Sequence, residues 1–426
     1  VCIRSTRVIR VLCIILSIFK SFWHTAGINT DYLQRPGEFD LMRLLPLKGS
    51  VYLLQLFYPL YSVLKKIYFT VTNDLSYDQR MHRICTTLAE TGYAVTLVGR
   101  KLTSSPPLAE KKFIQKRIRC WFNKGKLFYA EYNLRLFFYL LLKKADAVCA
   151  IDLDTIIPCY KISRLKKIPR IYDAHELFTE LKEVITRPRI KKIWTGIEKK
   201  HVPRFSLGYT VSEGIAAEFN KRYGVSYACI RNVPALQEMQ EKQPDEKFLL
   251  YQGAVNEARG FEQLIPALRN INCPVVICGD GNFMPQLKKL IEENGLKDRI
   301  TLKGMLPPAA LWVISQQAYI GLAIAEKDGL NQYLALPNKF FDYIHAGVPQ
   351  VTMNYPEYRT INSRYEVALL IDDIAPDTIA AAVNNLLADT VLYERLRQNC
   401  LKARLELNWQ QEEKKLINFY QAIFNH

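Results

Sequence analysis

The stretch "FLLYQGAVNEARGFEQLIPALRNI", residues 248–271, runs from a short apolar segment through a polar loop into an amphipathic helix. Residues 248–252 have the length and composition of a buried strand, and from Phe261 onward the apolar positions follow helical spacing. Gly253 ends the strand and Arg259-Gly260 opens the helix. Apolar strands that alternate with helices imply a parallel sheet covered on both faces.

The same grammar continues in both directions. Downstream come "PVVICGDG" (274–281), the helix "FMPQLKKLIEENG" (283–295), "RITLKG" (299–304) and "AYIGLAIA" (318–325). Upstream, "KIYFTV" (66–71) leads to the helix "DQRMHRICTTLAETG" (78–92) and then "AVTLVG" (94–99). Further apolar runs stand at 146–151, 169–173 and 207–212, each followed by polar residues. The pattern lapses into a polar stretch at 231–247, which reads as a linker, and residues 390–424 read as helical throughout. The predicted fold class is α/β, with two Rossmann-like doubly wound parallel-sheet domains facing a central cleft. The boundaries are 66–235 for the first domain, 236–405 for the second and 406–426 for a helix crossing back to the first. Residues 1–65 form an N-terminal extension, either non-native or membrane-interfacial: three arginines precede a short apolar run, as in a signal peptide, without a convincing cleavage site.

Charge is unevenly placed. The first 250 residues hold 41 Lys and Arg against 22 Asp and Glu, although the net charge of the whole chain is +17. Such a surface attracts anions: nucleic acid, lipid headgroups or a phosphorylated substrate. No nucleic-acid-binding module is recognisable, so no nucleic-acid partner is expected. The basic, aromatic run 109–144 gains helical spacing in its later part; it is either core plus a solvated face or a surface for an anionic membrane. The ten cysteines are scattered in apolar contexts, which suits a reducing compartment and predicts a cytoplasmic protein, peripheral on the inner face of the plasma membrane. Neither a G-x-G-x-x-G nor a phosphate-loop pattern is present, which argues against a dinucleotide dehydrogenase or a P-loop enzyme.

Candidate site residues cluster where strands end. Gly253 would let a ligand approach the backbone, while Arg259 and Gly260 at a helix N-terminus can receive phosphate; the alternative is a plain turn with a solvated arginine. Gly279 and Gly281 would let the chain pass close to a ring or ribose, or simply make a tight turn. In "LPNKFFDYIHAGVPQV" (336–351), Lys339 and Asp342 share a helix face after Asn338, as a surface ion pair or as ligands for phosphate and sugar hydroxyls. In "YDAHELFTE" (172–180), Asp173, His175 and Glu176 follow a strand directly. Asn73 and Asp74 either cap the next helix or face an acceptor. Arg80, in the first helical turn, opposes the helix dipole unless an anionic ligand or a buried carboxylate repairs it. Asp152-x-Asp154 has the spacing of a metal–diphosphate pair, with capping or acceptor contacts as the simpler readings; no metal site is expected.

Together these motifs resemble the retaining, nucleotide-sugar-dependent glycosyltransferases of family 4, of the glycosyl transferase group 1 type and GT-B fold, over about 66–424. In that family a strand ends in G-R-x-x-x-x-K-G, whose cations grip the donor diphosphate. Here the second cation is Arg259 and the first is replaced by Ala254, so Lys339 is expected to supply part of the grip. The family's two glutamates eight positions apart fall on Leu334 and Asp342; the first cannot act, and Asn331 or Tyr333 stands nearby. The family's N-terminal histidine matches His175. The resemblance implies Arg259, Lys339 and His175 as catalytic groups. The donor site would add Gly253, Gly260, Gly279, Gly281, Asn331, Asn338 and Asp342. The acceptor side would hold Asn73, Asp74, Arg80, Asp152, Asp154 and Glu176. It further implies transfer from a nucleotide diphosphate sugar to a glycan or lipid-linked acceptor, in surface polysaccharide or glycolipid assembly, without a cofactor. The rival functions are an inactive nucleotide-sugar-binding protein and a sugar-nucleotide epimerase.

Overall fold

The computed structural model describes residues 64–76, 78–239, 246–327 and 329–424. The readings for 1–63 lie outside these residues, as do positions 240–245 of the linker.

The first domain runs β1 (Lys66–Asp74), α1 (Gln79–Glu90), β2 (Ala94–Lys101), β3 (Ile114–Arg119), α2 (Gly125–Leu141), β4 (Ala147–Ile151), α3 (Ile156–Lys166), β5 (Arg170–Ala174), α4 (Lys182–Ile185), α5 (Pro188–His201), β6 (Leu207–Thr210), α6 (Glu213–Tyr223) and β7 (Ala228–Cys229). Its seven strands pair in parallel in the order β3-β2-β1-β4-β5-β6-β7. Every residue of β4 is buried, as befits a central strand covered on both faces. One apolar cluster lies on each side of the sheet.

The second domain runs β8 (Leu249–Gln252), α7 (Phe261–Ala267), β9 (Val275–Cys278), α8 (Met284–Glu293), β10 (Ile300–Gly304), α9 (Pro308–Gln317), β11 (Ile320–Ala323), α10 (Gly329–Leu334), α11 (Asn338–His345), β12 (Gln350–Met353), α12 (Pro356–Tyr365), β13 (Ala368–Ile371), α13 (Pro376–Ala388) and α14 (Thr390–Ala403). Its sheet is parallel in the order β10-β9-β8-β11-β12-β13. In both sheets the winding reverses at the first strand, so that β1 lies beside β4 and β8 beside β11. The crevice outside the carboxyl ends of these strands is where α/β folds bind ligands.

Three local readings need correction. Helix α1 is capped by neither Asn73 nor Asp74: the carboxylate of Asp78 accepts from the Met81 amide at 3.1 Å. The run 109–144 contains the edge strand β3 as well as α2; the alternation of exposed and partly buried residues in β3 is masked in the sequence by its charges. Residues 390–424 are not one helix. Asn408 separates α14 from α15 (Trp409–Phe424) by donating to the carbonyls of Arg404 and Leu405 at 2.9 and 2.8 Å and accepting from the Gln411 amide at 3.1 Å.

That break redirects the chain onto the first domain. Trp409, Leu416 and Tyr420 of α15 join the cluster containing Phe69 and Ile84. The Trp409 indole donates to Thr87 at 3.0 Å, and the Tyr209 and Tyr420 hydroxyls meet at 3.3 Å. Trp409→Ala should therefore cost about 3–5 kcal/mol through the cavity it leaves. Trp409→Phe should cost less, near the ~1 kcal/mol of one hydrogen bond plus a smaller void. Denaturant unfolding midpoints of the two variants against wild type check this ranking.

Candidate active site

On the first-domain rim, the end of β5 organises a charged chain. Asp173 is buried and receives the Arg80 guanidinium at 3.0 Å and His175 Nε2 at 3.1 Å. Arg80 also donates to the Ile230 carbonyl at 2.9 Å. The anion that the sequence required beside Arg80 is thus a protein carboxylate, although Arg80 still touches the cleft. Asp152, with φ 53°, accepts from the His175 amide at 2.9 Å and lies 3.8 Å from its Nδ1. Burial alone would lower the His175 pKa, but Asp173 and Asp152 outweigh it and hold the imidazole up at about 9. Burial would likewise raise Asp173, yet Arg80 and His175 keep it below its ordinary value. Burial pushes Asp154 up to about 6 and Glu176 up to about 7; Asp154 accepts from the Thr72 hydroxyl, while His175 and Arg259 oppose the rise at Glu176.

On the second-domain rim, Lys339 lies beside Gly253, with its ammonium 3.5 Å from the centroid of the Tyr251 ring. This ammonium is buried and, among the described residues, has no hydrogen-bond partner. Burial, reinforced by Arg259, drives its pKa well below the usual lysine value against the pull of Asp342. Among the described residues Arg259 makes no ion pair or side-chain hydrogen bond. Asp342 accepts from the Gln252 amide at 2.8 Å; burial pushes its carboxyl up to about 6, opposed by that hydrogen bond, Arg83 and Lys339.

Between the rims lies a cavity of about 820 Å³. It brings together Arg80, His175 and Glu176 from the first domain with Arg259, Asn331 and Asn338 from the second. Lys339, Asp342 and Gly253 are not in its lining and form a group next to it. Asn73 and Asp74 are elsewhere: Asn73 is exposed, and Asp74 is held by Arg117 at 2.6 Å and by Ser105. Gly279 and Gly281 serve packing between loops, because a Cβ on either would run into the carbonyl of Gly253 or Val255.

The short helix α10 is seated on the first domain. A Cβ on Gly329 (φ +85°) would come within 2.6 Å of the Glu180 carbonyl. Asn331 accepts from the Leu177 amide and the Leu334 carbonyl accepts from Ser212, both at 2.8 Å. Sequence reasoning missed Arg83, Gln252, Asn232 and Glu357. Arg83 bonds Asn232, whose amide donates to Asn338 at 2.6 Å, linking the two rims. A polar Gln252 inside an apolar strand was a readable signal; Glu357, which accepts from the Gly214 amide across the seam at 2.7 Å, carried none.

The raised imidazole has a defined pH signature. Since its folded value is about 9 against 6.5 for a free side chain, its stabilising contribution is complete below pH 6.5 and fades as pH rises through 9. The thermal midpoint of wild type should exceed that of His175→Gln most at or below pH 6.5, with the margin closing near pH 9.5. A margin independent of pH would mean that His175 is not held as a cation.

Residues 233–403 match the glycosyl transferases group 1 family. The alpha-D-kanosaminyltransferase of Streptomyces kanamyceticus is 26% identical over 200 residues, 44% of this chain and 44% of that protein. The lipopolysaccharide core biosynthesis glycosyltransferase LpsD of Rhizobium meliloti is 26% identical over 168 residues, 39% of this chain and 47% of that one. The matches thus span less than half the length of these relatives. The structure of Anabaena HepE in complex with UDP and glucose superposes with a TM-score of 0.66 at 12% identity, covering 84% of this chain and all of that one. The chain has the two-domain GT-B fold, and its second domain is similar to the glycosyl transferases group 1 family.

Proposed function

We propose that this protein is a glycosyltransferase that moves a sugar from a nucleotide diphosphate sugar to a glycan or lipid-linked acceptor, with retention at the anomeric carbon. One observation carries the reading. Lys339 and Arg259 stand together on the donor-side rim, and among the described residues no carboxylate is bonded to either. Two neighbouring cations repel each other and are poorly solvated when half-buried, so a diphosphate would relieve both defects at once. As the bond from the anomeric carbon to the β-phosphate oxygen breaks, negative charge grows on the departing diphosphate, where these groups stabilise it. Asp342 would hold the ribose hydroxyls with the carboxylate oxygen that Gln252 leaves free. The positive charge takes the place that a metal would fill, and Asp152 and Asp154 already have partners in His175 and Thr72. The names of the relatives, one of them in lipopolysaccharide core biosynthesis, support a role in surface polysaccharide or glycolipid assembly.

His175 supports retention by what it cannot do. An imidazole held protonated up to about pH 9 is a poor general base at neutral pH, and its charge suits it to orienting a sugar hydroxyl. The donor's own phosphate would then take the acceptor proton on the face where the acceptor oxygen bonds.

A membrane surface fits the first domain. On α2, Leu127, Leu134, Phe138 and Leu141 form an exposed apolar stripe opposite the buried stripe of Phe128, Tyr132, Leu136 and Leu140. A helix apolar on two opposite faces needs a second apolar neighbour. Exposed Lys124, Lys126, Lys143 and Lys144 flank the outer stripe, so an anionic bilayer complements it in both hydropathy and charge. Among the described residues no helix is long and apolar enough to cross a membrane.

Lys339→Ala should abolish the thermal shift given by the best of a panel of UDP-, GDP- and ADP-sugars and lower transfer about 10²–10³-fold. The unliganded melting temperature should not fall, and wild-type transfer should persist in chelator. If no nucleotide sugar stabilises the wild type, the donor assignment fails. Glu176, pushed up to about 7, is the rival proton acceptor in the cavity. Glu176→Gln should cost less than about tenfold, with the product anomer unchanged by NMR. A loss above the 10²–10⁴-fold typical of general-base removal, with an inverted product in the wild type, would make Glu176 the base.

A further inference from the structure

One end of the cavity is lined by apolar side chains. Its first-domain end is walled by Tyr129, Phe178, Trp194, Ile190, Ile193 and Leu181. The Trp194 ring packs against Phe178 at 4.8 Å and Tyr129 at 5.2 Å, forming one aromatic wall. Hydrocarbon fits such a wall, whereas a sugar buried there would leave its hydroxyls without partners. At the mouth of this lobe stand Lys126, from the first turn of α2, and Arg187, just before α5. Both are exposed, and neither takes part in an ion pair or side-chain hydrogen bond among the described residues. The carboxylates lining the cavity are Glu176, Glu183 and Glu257. Glu183 acts on Glu176, raising its pKa, and Glu257 belongs to the second domain.

We infer that this lobe seats the apolar chain of a phosphate- or diphosphate-bearing amphiphile, with Lys126 and Arg187 on its phosphate. The inference rests on the transferase reading and deepens it, since it makes the acceptor a lipid-phosphate-linked molecule rather than a free glycan. Two cations rooted in different elements favour a multivalent anion over a single carboxylate. Continuity supplies the route. Lys126 is followed directly by Leu127, the first residue of the exposed stripe on α2, and Ile193 is exposed at the lobe. An amphiphile could therefore enter from the bilayer edge without its chain crossing water.

The test uses dodecyl phosphate below its micellar concentration, read by tryptophan fluorescence with Trp194→Phe assigning the signal. Saturable binding is expected, at least tenfold tighter than for dodecanol or inorganic phosphate, and weakened at least tenfold in Lys126→Glu/Arg187→Glu. Both substituted side chains are exposed, and thermal melts check that the fold is kept. Equal affinity for dodecanol, an unchanged double variant or no saturable binding would overturn the inference. Leu134→Glu/Phe138→Glu separates the two sources of phosphate. It should lose co-sedimentation with phosphatidylglycerol vesicles yet bind dodecyl phosphate normally. If dodecyl phosphate binding falls with it, the anion is a headgroup on the outer face and the lobe assignment fails. Nucleotide-sugar thermal shifts on the same samples keep the readings apart. Shifts without dodecyl phosphate binding overturn this inference and leave the transferase standing. Dodecyl phosphate binding without any shift overturns the transferase reading, and the acceptor inference with it.

Discussion

The buried ion pair between Arg80 and Asp173 holds the first-domain rim in place. Their side chains are 3% and 0% exposed, so neither charge can be left to solvent. Losing one partner from such a pair costs about 3–5 kcal/mol, because the other stays buried and uncompensated. The pair joins the first turn of α1 to the end of β5, and through the Ile230 carbonyl it also fixes the chain after β7. From Asp173 the order spreads outward: its carboxylate orients His175 and its carbonyl accepts from the Asp152 amide at 3.0 Å. Asp152 then holds the His175 backbone from a left-handed conformation that a non-glycine residue adopts only under tertiary constraint. A basic residue placed against a helix dipole thus becomes the anchor of the rim.

The seam between the domains shows how one position can exchange chemistry for contact. The resemblance would place an acid at 334, and leucine stands there. Its side chain packs on the periphery of the first-domain core, and its carbonyl receives Ser212. Asn331, the substitute considered for the missing acid, instead accepts from the Leu177 amide. Both residues of α10 therefore bind the domains to each other. Glu357 adds a buried carboxylate to the Gly214 amide at the start of α6, where a Cβ on Gly214 would already crowd Leu334 and Glu357. With 334 committed to the seam, the proposed donor site depends on Asp342, Arg259 and Lys339.

Much of the architecture was legible because parallel strands buried on both faces write themselves as apolar runs. β1, β4, β5 and β8 stand out for that reason. The edge strands β3 and β7 do not: the first is charged and alternating, the second is two residues long. The break at Asn408 was hidden because an asparagine in a polar run looks like any other until its side chain is seen bonding both helix ends. At the candidate site, residues that follow strands were legible by position: His175 and Arg259 line the cavity, and Asp173 bonds His175 on the first-domain rim. Partners across the seam were not, since Arg83 with Asn232, or Gly214 with Glu357, meet only in three dimensions. Gly279 and Gly281 mark the opposite error. They signalled a close approach correctly, but what approaches is the protein's own backbone.

Lys339 carries the argument from stability to function. Its ammonium lies over the Tyr251 ring, and such a contact gives back only about 0.5–2 kcal/mol of what burial removes. Among the described residues no hydrogen bond completes the compensation, and Arg259 makes the local potential more positive. An apolar side chain of the same length would pack at this position with less penalty, so the charge is a local cost to the fold. Marginally stable proteins keep such costs where they serve function. A bound diphosphate would turn the same two cations from mutually repelling into jointly satisfied, and binding there would stabilise the folded chain by mass action. Arg83 extends this coupling to the other rim, since it acts on Asp342 electrostatically while bonding Asn232 of the first domain. Any change of charge at Asp342 is therefore felt by the residues that join the two domains.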